Sequence, residues 1–277
     1  MLVSLVIVFR EALEAGLIIG IVLAATEGVT GRARWIAGGV AAGVAGAGLV
    51  AAFAAALSDA FDGAGQEVFT AGILCFAVVM LSWHILWMSH HARTMTTELR
   101  DVGQAVRLGH RTLGALAAVI AVAVLREGAE VVLFLYGVVA GSGSTALSLG
   151  VGGLAGLALA GGVSWLLYRG LIAIPLRRLF GVTNILIAFV AAGMAGQAAS
   201  ILHGADLLPA WGEHWWDTSF LLDDDSIPGR ALHALIGYSA HPPGVQLAAY
   251  LATLLMLVTA SRAIGKPERR REFPNKL

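Results

Sequence analysis

Two copies of one short pattern hold the residues best suited to chemistry. Arg10, Glu11 and Glu14 form one R-E-x-x-E, and Arg126, Glu127 and Glu130 form a second. Each copy lies near the middle of a strongly apolar stretch. Successive residues of an α-helix are about 100° apart, so the three charged residues of each copy fall within one sector. Each helix therefore presents two carboxylates and one guanidinium on a single face. A charge at the centre of a bilayer costs about 2.5–3.5 kcal/mol even on the lenient insertion scale. Six such groups cannot face lipid; they must face one another or a wet path. Arg10 with Glu14 and Arg126 with Glu130 have the spacing of helical ion pairs, which leaves Glu11 and Glu127 unmatched. A buried surplus of negative charge calls for protons or a cation. Carboxylate oxygens are hard ligands, suited to a hard cation such as ferric iron, manganese or magnesium. Glu11, Glu14, Glu127 and Glu130 are thus the candidate metal ligands, with Arg10 and Arg126 holding them in place.

The elements that must position these residues are membrane helices. Hydrophobic residues make up 58% of the 277, charged residues 13%, and the mean hydropathy is +0.80. A soluble domain carries roughly 25% charged residues, so this chain could not cover its own surface in water. The net formal charge of zero gives no case for a nucleic-acid partner; membrane lipid is the expected surroundings. A span needs about 20 mostly apolar residues. Seven stretches qualify: 2–26, 35–57, 67–88, 113–139, 147–168, 180–201 and 244–264. The expected fold is all-α and polytopic, a single transmembrane domain over 1–277. Within it, 1–112 is a first three-helix repeat with a cytoplasmic connecting helix at 89–112. Residues 113–201 are a second repeat, 202–243 an outer segment, and 244–277 a seventh helix and tail. Because three spans precede the second motif, the two repeats are inverted. Such repeats place a substrate site at the midplane.

Charge sets the orientation. Most of the 18 Lys and Arg fall in 27–34, 89–112, 169–179 and the tail, which share one side if there are seven spans. The positive-inside rule then puts the N-terminus outside and the C-terminus in the cytoplasm. No basic stretch precedes the first apolar run, so it reads as a retained span rather than a cleavable signal. The outer loops are acidic. Asp223, Asp224 and Asp225 could concentrate cations at an entrance, as could His203, Asp206, Glu213, His214, Asp217, His233 and His241. Small residues such as Gly39, Gly43, Gly48, Gly152 and Gly156 predict close helix contacts.

Other candidates have plainer readings. The lone Cys75 excludes an intrachain disulfide and reads as a small buried hydrophobe. His84 reads as a helix-contact histidine, and His90 and His91 as solvated groups at the cytoplasmic mouth. Gly141 to Ser144 reads as a tight outer turn rather than a hydrolase loop, so no enzyme is expected.

The paired motifs resemble the iron permease family of fungi and bacteria, and within it the bacterial permeases of the oxidase-dependent iron uptake system. The likeness extends to W87-M-S-H-H-A-R93, W216-D-T-S, D224-D-S and L232-H-A-L-I-G-Y238. It implies iron import across the cytoplasmic membrane of a bacterium, with metal bound by Glu11, Glu14, Glu127 and Glu130. It also implies that the iron is ferric and delivered by an outer-side oxidase, with a metal-delivery protein as a further partner. Iron is then transported substrate, and no cofactor is called for. Two alternatives use the same carboxylates: transport of another divalent metal, or proton-coupled transport of a small organic cation.

Overall fold

The computed structural model describes residues 1–60, 66–142, 145–170, 176–212, 215–224 and 226–264. These form eight helices and no strand. They are α1 (Leu2–Ala25), α2 (Arg32–Ala60), α3 (Gln66–Arg107), α4 (Leu113–Ser142), α5 (Ala146–Tyr168), α6 (Leu176–Gly204), α7 (Ile227–Ile236) and α8 (Gly244–Ile264). By length and composition, α2, α3, α5, α6 and α8 are apolar enough to cross a membrane, with mean hydropathies of 1.6 to 2.0. The chain is a polytopic membrane protein. Helices α1 and α4 are as long, but each carries the three charges of its motif.

The molecule is turned inside out relative to a soluble protein. Leu49, Phe53 and Leu154 are each at least 70% exposed, which suits a lipid-facing surface, whereas Arg10, Glu11, Glu14, Glu127 and Glu130 are buried. Two apolar cores flank this charged layer. One gathers Ile7, Leu74, Leu81, Phe134 and Ile187 from α1, α3, α4 and α6. The other gathers Val22, Ile36, Val106, Leu116 and Ile120 from α1, α2, α3 and α4.

The packing crosses between the two motif-bearing halves: α1 lies chiefly against α5, α2 against α4, and α3 against α6. Glycine makes the first two contacts possible. A Cβ added at Gly39 or Gly43 would strike the carbonyl oxygens of Ala117 and Ala121 on α4. One at Gly152 or Gly156 would strike those of Met1, which caps α1, and Leu5 on α1. Ala117 and Ala121 precede Arg126 by the same steps as Met1 and Leu5 precede Arg10. Gly48 meets no neighbour, so that glycine does not serve the close packing its sequence position predicts.

The expectations for 89–112 and for Cys75 need correction. The segment 89–112 does not begin a separate helix: α3 runs without a break through 42 residues to Arg107. Its end folds against α1, where Gly103 packs on Ala25. The outer segment contains a helix, α7, with Ser226 capping Gly229 N and Gly237 ending it at φ 70°. Only glycine enters that left-handed conformation without strain, and Gly237 also abuts Gly193 in mid-α6. Cys75 is exposed rather than buried, because a thiol is apolar enough to face lipid. The helix α4 runs on through Ser142; the rest of the expected turn at 141–144 lies outside the described residues.

Candidate metal site

The site is built on two helices that meet at their motifs, closed by a third. On α1, the i, i+1, i+4 spacing sets Arg10, Glu11 and Glu14 on the inward face. Arg10 Nη1 donates to Glu11 Oε1 at 2.8 Å, and Arg10 Nη2 lies 3.1 Å from Glu14 Oε1. Arg10 is 1% exposed, so its charge acts in a low-dielectric surround where pairing is strong. On α4, Arg126 Nε donates to Glu130 Oε1 at 3.1 Å. Arg126 is placed differently: its side chain is 32% exposed and its guanidinium lies 4.2 Å above the Trp87 ring.

The two helices bring their acids together as the motif geometry predicts. Oxygens of Glu11, Glu127 and Glu130 lie within 4.8 Å of one another, all buried. A second group, equally tight, joins Glu11 and Glu14 with a ring nitrogen of His84. His84 is 2% exposed. Its Nε2 lies 3.6 Å from Glu14 Oε1 and 3.9 Å from Glu11 Oε2, and its Nδ1 lies against Glu130 Oε2. Sequence reasoning took His84 for a helix-contact histidine. Its sequence position, a lone imidazole in an apolar span, does not by itself separate the two roles.

Buried polar atoms are nearly always hydrogen-bonded. Here Glu11 Oε2, both Glu14 oxygens, Glu127 Oε2 and His84 Nε2 have no hydrogen-bond partner. Four acids face one fully enclosed arginine and one half-enclosed arginine. Such a cluster is chemically competent to take up a cation, which would supply both the missing charge and the missing partners.

Among the described residues, the outer candidates are not gathered in this way. Asp224 accepts Ala240 N with both oxygens, at 2.9 and 3.0 Å. Asp223 uses its backbone carbonyl to hold Ser226; Asp225, Glu213 and His214 lie outside the described residues. His203 Nδ1 and His233 Nδ1 bond the carbonyls of Leu208 and Tyr238. Asp217 Oδ1 accepts from Ser219 N and Oγ and lies 3.0 Å from His241 Nε2. The hydrogen bonds from Ser219, with His241 beside them, hold its carboxyl below the ordinary value. The side chains of His90 and His91 lie outside those described.

An apolar helical bundle enclosing buried carboxylates has the make-up of a cation permease. Comparison with known proteins identifies the family. The Iron permease FTR1 family matches residues 1–264, and the chain belongs to it. It is similar to the "Ferrous iron permease EfeU" of Escherichia coli O6:H1 (strain CFT073), 32% identical over 270 residues, covering 94% of this chain and 95% of that one. The Shigella sonnei (strain Ss046) protein of the same name is also 32% identical over 270 residues, with the same coverage. That of Yersinia pestis is 30% identical over 260 residues, covering 92% of this chain and 91% of its own. No solved structure matches. The chain is accordingly a transporter and not an enzyme, with iron as its transported substrate.

Proposed function

We propose that this chain imports ferrous iron into the cytoplasm across a bacterial inner membrane, through Glu11, Glu14, Glu127 and Glu130. The observation that carries the reading is the convergence of buried, unpartnered carboxylate oxygens from α1 and α4. A cation entering the membrane loses its water shell, and carboxylates replace that shell at low dielectric. Arg10 and Arg126 position the acids and limit their mutual repulsion. Their planar guanidinium forks match carboxylates in a way lysine does not.

In this reading α1 to α6 and α8 are seven spans, with the N-terminus outside and the C-terminus in the cytoplasm. The arginines at the α1–α2 turn, the end of α3, the end of α5 and the end of α8 support that orientation. Helices α1 to α3 and α4 to α6 are inverted repeats. The matched glycine contacts of α2 on α4 and α5 on α1 support that division. Ferrous iron is favoured by the names of the relatives. A second reading has ferric iron carried, delivered by an outer oxidase with a metal-delivery protein; the all-oxygen set of Glu11, Glu127 and Glu130 suits that harder ion.

Uptake of radiolabelled iron into sealed vesicles tests both. Iron kept ferrous by a reductant should enter, and Glu14→Gln or Glu130→Gln should each abolish entry while the protein still inserts. Entry of ferric iron alone would replace the first reading with the second. Normal uptake by either Gln variant would remove the carboxylate path.

A further inference from the structure

We propose that the carboxylate cluster is two adjacent subsites sharing Glu11, and that His84 is a direct iron ligand in the inner one. This rests on the transport reading above and refines its site. The outer subsite is all oxygen: Glu11, Glu127 and Glu130. The inner subsite is mixed: Glu11, Glu14 and His84.

The geometry around the imidazole supports a ligand role. His84 Nδ1 lies against Glu130 Oε2, and a proton there is donated to that carboxylate. Histidines that bind metals characteristically donate their second nitrogen to a carboxylate or carbonyl, which fixes the tautomer. The other nitrogen, Nε2, then offers a lone pair. It faces Glu14 Oε1 and Glu11 Oε2 at 3.6 and 3.9 Å, too far for a hydrogen bond. None of these three atoms has a hydrogen-bond partner. Arg10 Nη2 lies 3.1 Å from Glu14 Oε1 and offsets part of the repulsion among these three lone-pair donors; a cation between them would offset the rest. Ligand atoms about 2.0–2.2 Å from a transition-metal ion stand roughly 3–3.5 Å apart at octahedral or tetrahedral angles. The observed separations are slightly wider, so a small inward movement closes the set.

The order rests on Glu14, the carboxylate found only in the mixed set. With α1 running inward, Glu14 lies a turn nearer the cytoplasm than Glu11. With α4 running outward, Glu130 lies nearer the outside than Glu127. A cavity of about 540 Å³ is lined by Gly16 and Leu17, which follow Glu14 within one turn of α1, and by Arg100 and Arg107 of α3. Iron thus passes from oxygen ligands to a mixed set and then into an open vestibule. Imidazole suits iron but not magnesium or calcium, so the inner subsite also selects the cargo. In that subsite Glu130 becomes the group that orients His84.

X-ray absorption on the purified full-length protein, loaded anaerobically with one equivalent of ferrous iron, tests this. Wild type should show the outer-shell scattering of one imidazole. The signal should vanish in His84→Gln and persist in Glu127→Gln. In vesicles, His84→Gln should lower ferrous uptake at least about tenfold, and its preference for iron over magnesium should fall. Oxygen ligands alone in the wild-type spectrum would overturn the proposal, whether or not the variant folds. Imidazole scattering that survives in His84→Gln would overturn it equally. Loss of iron binding in Glu11→Gln with no imidazole signal in wild type would overturn this proposal and leave the carboxylate reading standing. Undiminished binding in Glu11→Gln would instead sink the carboxylate reading on which it rests.

Discussion

Helices α1 and α4 carry the same motif on the same glycine-lined seats, yet their arginines do different things. Gly152 and Gly156 receive α1 as Gly39 and Gly43 receive α4. Arg10 is sealed in the interior and touches both acids of its own motif. Arg126 is partly exposed, pairs with Glu130 among the described residues, and stacks on Trp87. A repeated backbone scaffold therefore does not impose repeated electrostatics. Side chains on the third helix of the first half, His84 and Trp87, break the equivalence. They enter beside α4's motif and redistribute its partners.

The sharpest way to break this comparison is to remove each arginine in turn. Arg10→Gln strands Glu11 and Glu14 in the interior and should destabilise the protein by about 3–5 kcal/mol, the range for breaking a buried pair. Arg126→Gln should cost only about 1–2 kcal/mol, because its pair is part-exposed and its ring contact is modest. Thermal unfolding in one detergent measures both; equal losses would show that the two motifs are electrostatically equivalent after all.

The scaffold half of the comparison predicts equality instead. Gly43→Leu and Gly156→Leu each push a side chain into a facing backbone and should destabilise by similar amounts, about 1–3 kcal/mol. A large difference between them would show that the two helix seats are not matched. A smaller effect is expected from Trp87→Leu, which removes the ring under Arg126. It should lower stability by about 0.5–1 kcal/mol and leave uptake within a few-fold of wild type.

The least effect belongs to the outer segment. Asp217 is exposed and its carboxyl is held below its ordinary value of 3.8 by hydrogen bonds from Ser219 and then by His241. A depressed folded value means that this turn's stabilisation is complete above the unfolded value. It is lost as pH falls through the lower folded value. Protease nicking near 217–219 should therefore rise only in strong acid, and Asp217→Asn should leave neutral-pH uptake unchanged.

Much of this was legible in the residues themselves. Sustained apolar runs with few charges dictate helices in a bilayer, since no other open structure satisfies its backbone there. The i, i+1, i+4 spacing places Arg10, Glu11 and Glu14 on one face whatever the rest of the fold does. The cost of burying those charges requires that the face meet something polar. Helical periodicity states which residues share a face, but not which faces meet. That Glu11 approaches Glu127 and Glu130, that His84 rather than another histidine completes the cluster, and that α3 continues to Arg107 were decided by packing. A lone histidine in an apolar helix has the same sequence signature whether it pads a contact or faces three carboxylates. The unequal burial of Arg10 and Arg126 is likewise absent from two identical motifs, because it depends on what a third helix places beside each.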